Sequence, residues 1–453
     1  MENVLANINI SGIACDSRKV KKGDVFVAIP GFKSDGSRFV SQAIENGASV
    51  IVTESTEAPV PAGIEKIVVA SARKALAELA CRFYDHPSDK LRIIGITGTN
   101  GKTTTAYLIQ SILKEVGYKT KLLGTIDTPT GLTTPEAIDL QKWLAQCVKD
   151  GVTHVVMEVS SHALELDRVW GVDFDVAIFT NLTHDHLDFH KDMESYFRAK
   201  KMLFEGLGKG KKKGAVAIVN VDDAYGKRLI EVVNTEVVTY GLVEAKYELH
   251  DTKSSSLPGK YNQYNILAAY ECGLVFDIPP RLIKKAIENI KPIPGRFEMI
   301  ECGQPFKVIV DFAHTPDALE KLLSTVAEGF KPSSTGRIIL VFGCPGERDK
   351  GKRPIMGKIA EKYSDYLIIT TDDPHNEPPE KIISDITTGM SRKKPFETIV
   401  DRREAIKQAL QVASKDDIII LAGRGHEQWQ DVAGEKVEID DRAIVKKLLN
   451  EHI

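Results

Sequence analysis

The chain has 453 residues, 42% hydrophobic and 27% charged, with a formal net charge of −3. That balance is the one of a soluble globular protein of roughly two to four domains, and it supplies no pull toward nucleic acid or an anionic membrane. The start, MENVLANINI, carries no basic stretch followed by an apolar core, no run of about 18 apolar residues occurs, and the six cysteines lack C-x-x-C pairs, so a secretory signal, a membrane-spanning helix, a zinc site and a disulfide framework are all unexpected and the cytoplasm is the expected location.

Residues 1–88 read as a small α/β unit. Asp24–Ile29 and Ala48–Val52 have the look of short buried strands, with a helix over Phe39–Asn46 between them. The polar stretch Tyr84–Asp89, with its proline, marks a boundary. Residues 89–291 alternate apolar runs (Thr153–Val159, Val176–Phe179, Ala215–Val219) with helical patterns, which predicts parallel βαβ units. Pro292-Ile293-Pro294-Gly295 punctuates again, and residues 292–453 carry the runs Lys307–Val310, Arg337–Phe342, Asp365–Thr370 and Asp417–Leu421. That last part reads as a doubly wound, Rossmann-like domain, so the fold class is α/β throughout.

The segment Ile93–Thr105, IIGITGTNGKTTT, is the most informative. A strand runs into Gly98-Thr99-Asn100-Gly101-Lys102-Thr103-Thr104, and a helix follows with Tyr107, Leu108, Ile112, Leu113 and Val116 on one face and Gly117 to stop it. Glycines let backbone N–H groups approach phosphate, and a helix N-terminus adds positive charge. Lys102 can reach terminal phosphates and the Thr103 hydroxyl can bind Mg²⁺. Ile96 stands where the strict phosphate-loop pattern has its first glycine.

Three further positions carry chemistry. Glu158 ends an apolar run, where a Mg²⁺ ligand beside a phosphate loop would sit. Asn181–Asp188 packs two histidines and two aspartates into five residues, suited to a metal, to substrate or simply to a polar loop. Lys200 lies among Phe197, Leu203 and Phe204; its spacing alone describes an ordinary lysine that reaches for water past apolar neighbours.

The motifs TGTNGKTT, MEVSSHAL, NLTHDHLDFH, YFRAKKMLF, GRFE, DFAHTPDAL, ERDKGKRP and AGRGHE occur in the order found in Mur ligases, and the chain resembles that family over nearly its whole length. Within it, the similarity is greatest to the UDP-N-acetylmuramoyl-tripeptide synthetases of peptidoglycan assembly. The resemblance implies a uridine-binding domain, a central ATPase domain and a C-terminal domain that takes the incoming amino acid. It implies an acyl-phosphate mechanism: ATP and Mg²⁺ activate the D-Glu carboxylate of UDP-MurNAc-L-Ala-D-Glu, and an amine displaces phosphate. By motif match, Lys102 contacts phosphates, Thr103, Glu158 and His186 hold or orient Mg²⁺, and Lys200 becomes a carbamate that adds an anionic ligand. Asn265, Arg296, Asp311 and His314 match ATP-side positions. Ser17, Phe32, Lys33 and Ser34 resemble uridine-diphosphate contacts, and Thr133, Thr134, Ser160 and Arg168 match positions that hold the muramoyl-peptide. The family precedent and the absence of a coiled-coil pattern imply a monomer.

For the incoming amino acid, Arg348 matches a carboxylate-gripping arginine, with Gly423 and Glu427 in the same pocket. The selecting loop is Asp372-Asp373-Pro374-His375. Relatives that add meso-diaminopimelate usually carry D-N-P-R there, so His375 replaces a fixed cation and Asp373 adds an anion. With Asp372 and Glu427 nearby, this favours a bare distal ammonium, and L-lysine is the expected substrate, with meso-diaminopimelate or ornithine as alternatives. Other departures are Leu132, Leu166, Phe312 and Arg424 at positions that commonly hold Asn, Gln, Tyr and Lys. Only 24 residues separate Tyr240 from Asn265, so the central domain is trimmed and Ser254–Gly259 reads as a loop. A related amide ligase such as folylpolyglutamate synthase, and a catalytically silent paralogue, are the competing readings.

Overall fold

The computed structural model describes residues 10–31, 35–128, 130–243, 256–330 and 336–451. Three sheets follow one another along the chain. The first is parallel, in the order β1 (Ile13–Ala14), β2 (Val25–Ala28), β3 (Val50–Thr53), β4 (Glu65–Val68). The second comprises β5 (Arg92–Thr97), β6 (Thr120–Leu123), β7 (His154–Glu158), β8 (Val176–Phe179), β9 (Val216–Asn220) and β10 (Glu236–Tyr240). All six are parallel, in the order β10-β9-β8-β5-β7-β6. The third comprises β11 (Glu298–Ile300), β12 (Lys307–Asp311), β13 (Ile338–Phe342), β14 (Tyr366–Ile369), β15 (Phe396–Thr398) and β16 (Ile418–Ala422). Its order is β11-β12-β16-β13-β14-β15, with β11 antiparallel and the rest parallel. A hairpin, β17 (Trp429–Val432) and β18 (Glu435–Glu438), follows.

The central sheet is covered on both faces, which is why its middle strands are continuous apolar runs. From β5, Ile94 and Ile96 pack with Leu108 and Ile112 of the helix Lys102–Glu115 and with Ile266 of the helix Lys260–Val275. Ile93, on the opposite face, packs with Leu140 and Leu144 of the helix Ala137–Lys149 and with the cluster that includes Phe204. Gly95 has no room for a side chain, since a Cβ would lie 2.7 Å from the Phe174 ring. The third sheet is likewise buried between two clusters, one built on Leu340 and Ile420 and the other on Val341 and Ile419.

The apolar-run reading finds β5, β7, β8, β9, β12, β13, β14 and β16, each flanked by strands on both sides. It misses β6, β10, β11 and β15, which lie at sheet edges and carry polar or half-exposed residues. It also misses the hairpin, whose second strand is exposed throughout.

From β5 the chain moves out to β6, returns to β7 beside β5, then crosses to β8 on the other flank. A crevice opens outside the carboxyl ends of strands where the connections diverge in this way. The loop Gly98–Gly101 leaves β5 at that point.

Candidate active site

A cavity of about 1200 Å³ lies between the second and third sheets. Nearly all of its wall comes from segments that leave the carboxyl ends of strands. The central domain supplies Thr99–Thr104 after β5, Glu158–His162 at the end of β7 and Thr180–Asp188 after β8. The third domain supplies Asp311–His314 after β12, Pro345–Lys352 after β13, Asp372–His375 after β14, and Gly423 and Glu427 after β16.

The phosphate loop is held open by its neighbours. Thr99 N donates to Asn181 O at 2.8 Å, Asn100 N donates to Asn181 Oδ1 at 3.0 Å, and Thr180 Oγ1 donates to Asn100 O at 2.7 Å. Gly101 is left-handed at φ 89°, where a Cβ would meet Asn265 Oδ1 at 2.3 Å. The helix Lys102–Glu115 begins there without a side-chain cap, so its first N–H groups are available to an anion. Lys102 Nζ donates to Gly98 O and Thr99 O at 3.0 and 2.9 Å, folded over the loop where phosphates would lie.

Glu158 is fully buried, and Thr103 Oγ1 donates to its Oε1 at 2.9 Å. Thr125 donates to both carboxylate oxygens, through N at 2.9 Å and Oγ1 at 3.1 Å. His186, at φ 54°, sits 3.3 Å from Asp185, and Lys352 reaches Asp185 from the third domain at 4.0 Å. Burial alone would raise the Asp185 carboxyl, but the neighbouring His186, Lys352 and His314, with a hydrogen bond from His186 N, hold it well below the usual range. Hydroxyl and carboxylate oxygens converging beside a phosphate cradle fit Mg²⁺, a hard cation that takes oxygen ligands. Lys200 stands behind the loop, outside the cavity wall: its Nζ donates to Gly98 O at 2.8 Å and lies 4.6 Å over the Tyr196 ring. Burial drives its amine well below the ordinary lysine value and so toward the neutral form.

The third domain closes on this centre. Arg296 Nη2 donates to Thr103 Oγ1 at 3.1 Å, and its guanidinium stacks 4.4 Å from the Phe312 ring. Asn100 Nδ2 donates to Asp317 Oδ2 at 2.8 Å. His314 Nδ1 faces Phe312 O at 2.8 Å. Asp311 is spent on the backbone, accepting from Phe297 N at 2.7 Å and Ala313 N at 2.9 Å, so it shapes the loop that carries His314. Asn265 is positioned by Asn262, to which its Nδ2 donates at 3.0 Å.

On the acceptor side, Thr134 Oγ1 donates to Glu158 O at 2.9 Å, Ser160 caps the short helix Ser161–Glu165, and Arg168 pairs with Glu136 at 2.7 Å. Thr133 lies 3.2 Å from Thr125 through their hydroxyls. All four candidate residues line the cavity. In the first domain, Ser17 donates to Gln42 Oε1 at 2.6 Å and does not line it. Phe32, Lys33 and Ser34 lie outside the described residues, as does the start of the Ser254–Gly259 loop.

The group expected from the sequence to take the amino acid differs from that expectation in one respect. Asp372, Asp373 and Glu427 do cluster, but a fully buried Arg424 lies among them. Its Nη1 donates to Asp373 Oδ1 at 2.7 Å and Asp372 Oδ1 at 3.3 Å, and its Nη2 is 3.5 Å from Glu427 Oε2. Burial together with Asp372 pushes the Glu427 carboxyl up to about 8. The cluster is therefore not an open anionic receptor. His375 pairs with Asp431 at 3.2 Å, while Arg348 is exposed on the cavity wall with no ion pair among the described residues. The sequence reading passed over Asn181, Asp317 and Lys352. Their place just after strand ends, or inside motifs already singled out, was the available signal.

Residues 9–84 match the Mur ligase family catalytic domain, 96–273 the Mur ligase middle domain, and 295–425 the Mur ligase glutamate ligase domain. A protein of Caldanaerobacter subterraneus subsp. tengcongensis is 44% identical over 98% of this chain and 96% of its own length. One of Aquifex aeolicus is 42% identical over 97% and 94%. Both are named UDP-N-acetylmuramoyl-L-alanyl-D-glutamate–2,6-diaminopimelate ligase. A solved structure of that name aligns at 30% identity with a TM-score of 0.65, covering 99% of this chain and 98% of its own. The Thermotoga maritima MurF ligase bound to ADP, 18% identical with a TM-score of 0.62, shares the fold.

Fold and site together define a three-domain, ATP-dependent ligase. The chain belongs to the Mur ligase family.

Proposed function

We propose that this ligase joins 2,6-diaminopimelate to the D-Glu carboxylate of UDP-MurNAc-L-Ala-D-Glu in peptidoglycan precursor synthesis. The observation that carries the reading is one cavity walled by a phosphate loop, a buried Glu158–Thr103 pair and Arg348, which has no ion pair among the described residues. The relatives' names support diaminopimelate, and the expectation of L-lysine gives way to its alternative. The physical reason is Arg424: it occupies the carboxylates on which a bare ammonium was to depend.

A carboxylate is a poor electrophile at neutral pH. The acceptor oxygen attacks the terminal phosphorus of ATP, ADP leaves, and an acyl phosphate forms. The amine of the amino acid then attacks the acyl carbon, loses a proton, and phosphate departs as the amide forms. The loop N–H groups, Lys102 and Arg296 neutralise charge on the transferring phosphoryl group. Thr103, Glu158 and His186, with Lys200 as a carbamate, would hold Mg²⁺, which when bound supplies Lewis-acid stabilisation of phosphate charge. Thr133, Thr134, Ser160 and Arg168 position the acceptor peptide, and Arg348 grips a carboxylate of the amino acid. ATP-side groups come from two domains, so the site is complete only when they close.

The test is phosphate release from Mg·ATP and UDP-MurNAc-L-Ala-D-Glu, with meso-diaminopimelate, L-lysine and L-ornithine offered in parallel. Release with diaminopimelate alone is expected. Release with lysine alone would overturn the choice of amino acid, and silence with all three would overturn the acceptor.

A further inference from the structure

Arg424, which reaches the carboxylates of the selecting loop, is one of the largest fully buried side chains. It stands between two left-handed glycines, Gly423 at φ 111° and Gly425 at φ 52°. A Cβ at Gly423 would lie 2.7 Å from Asp372 Oδ2, and one at Gly425 would lie 2.8 Å from Gly295 O. The backbone is thus fixed tightly against the β14 loop, and the guanidinium has one direction in which to extend. It donates to Asp373 and Asp372, and through Nη2 to Trp429 O at the start of β17. Asp373 Oδ1 accepts a second bond, from Asp431 N at 3.1 Å. Asp431 in turn receives His375: His375 N donates to Asp431 O at 3.0 Å, and the imidazole pairs with its carboxylate. Arg424, Asp373, Asp431 and His375 therefore form one chain of contacts that joins the selecting loop to the hairpin.

We propose that Arg424 is a positioning and specificity-determining residue: by pairing with Asp373 and fastening the loop to the β17–β18 hairpin, it keeps the carboxylates from receiving a bare ammonium and so favours a diamino diacid over a diamino monoacid. This rests on the reading of the reaction given above. An unpaired carboxylate pair facing the cavity would attract the ammonium end of lysine. A carboxylate already held by a guanidinium offers that ammonium little, because the second cation would be repelled by the first. A diacid instead brings its own anion toward Arg348 and the Arg424 neighbourhood.

The experiment is steady-state phosphate release by the full chain with meso-diaminopimelate and with L-lysine, for Arg424→Gln, Asp373→Asn and the double variant. Arg424→Gln is expected to raise KM for diaminopimelate by about tenfold while kcat and KM for ATP change far less. The preference for diaminopimelate over lysine should shrink by a similar factor, because two carboxylates are released. Removing one of those charges, Asp373→Asn in the Arg424→Gln background should restore part of the preference, giving a non-additive cycle. Should Arg424→Gln fail to fold, Arg424→Lys keeps the charge and tests the anchor: a single ammonium cannot reproduce the fork that holds both Asp373 and Trp429 O, and a smaller fall in the preference for diaminopimelate is expected. Unchanged preference in every folded variant, beside a lower melting temperature, would reduce Arg424 to a structural part and overturn the proposal. Absence of phosphate release by the unaltered protein with either amino acid would overturn the assigned reaction, and the proposal with it.

Discussion

Arg296 and Thr103 meet across the domain boundary: the guanidinium of the third domain donates at 3.1 Å to the hydroxyl that itself donates to Glu158. One hydrogen-bonded line thus links the third domain to the buried carboxylate of the central domain. Replacing Arg296 by Ala removes a cation from the phosphate site and a closure contact together. Phosphate release should fall roughly 100-fold in kcat. A melting temperature close to that of the parent protein would separate this effect from unfolding.

Lys200 offers a second prediction. Its amine is buried, driven toward neutrality, and held on Gly98 O behind the loop. A neutral amine adds CO₂ to give a carbamate with loss of a proton. Lys200→Ala should abolish turnover, and a small carboxylic acid added to the assay should restore part of it. Labelled CO₂ should mark the parent protein and not the variant; equal labelling of both would end the assignment.

Gly101 is left-handed and has no space for a methyl group beside Asn265. Gly101→Ala should cost about 1–3 kcal/mol through backbone strain and displacement of Asn265. KM for ATP should rise with it, because the loop N–H groups shift. Chemical denaturation and ATP titration check the two halves separately.

Arg353 is fully buried and grips Glu377 with two bonds, Nη1 to Oε1 at 2.9 Å and Nη2 to Oε2 at 2.8 Å, with Asp385 a further partner at 2.8 Å. The guanidinium holds the Glu377 carboxyl down to about 2, from an ordinary 4.5. The folded value lies below the unfolded one, so the stabilisation is present above pH 4.5 and drains away as pH falls toward 2. Glu377→Gln should cost roughly 3 kcal/mol at neutral pH. That difference should narrow across this acid window; a constant difference down to the lower limit would contradict the pairing.

The edges of both large sheets and the β17–β18 hairpin were the illegible part of the fold. An edge strand such as Glu236–Tyr240 has one neighbour and half-exposed side chains, so it needs no continuous apolar run. In the site, Lys102, Thr103 and Glu158 were readable because a phosphate loop and a strand end are local patterns. Lys200 was not, since its 1% exposure comes from the loop at Gly98 and the Tyr196 ring and leaves no trace in its spacing. The amino-acid pocket was misread for a related reason. Asp372 and Asp373 can be counted in the sequence, but the partner that pairs with both lies 51 residues beyond Asp373.

By itself the sequence determined the α/β class, the parallel cores of the two large buried sheets, the phosphate loop and, through the order of its motifs, the family. These follow from short-range rules: apolar runs make covered strands, and glycine before Lys-Thr at a helix start makes an anion site. Only the tertiary structure decided which charges face each other. It set Arg296 on Thr103 and Lys352 near Asp185 because two sheets' carboxyl ends oppose one another, and Arg424 among three carboxylates because the segments after β14 and β16 leave the same end of one sheet; the attraction depends on distance and burial and not on separation along the chain.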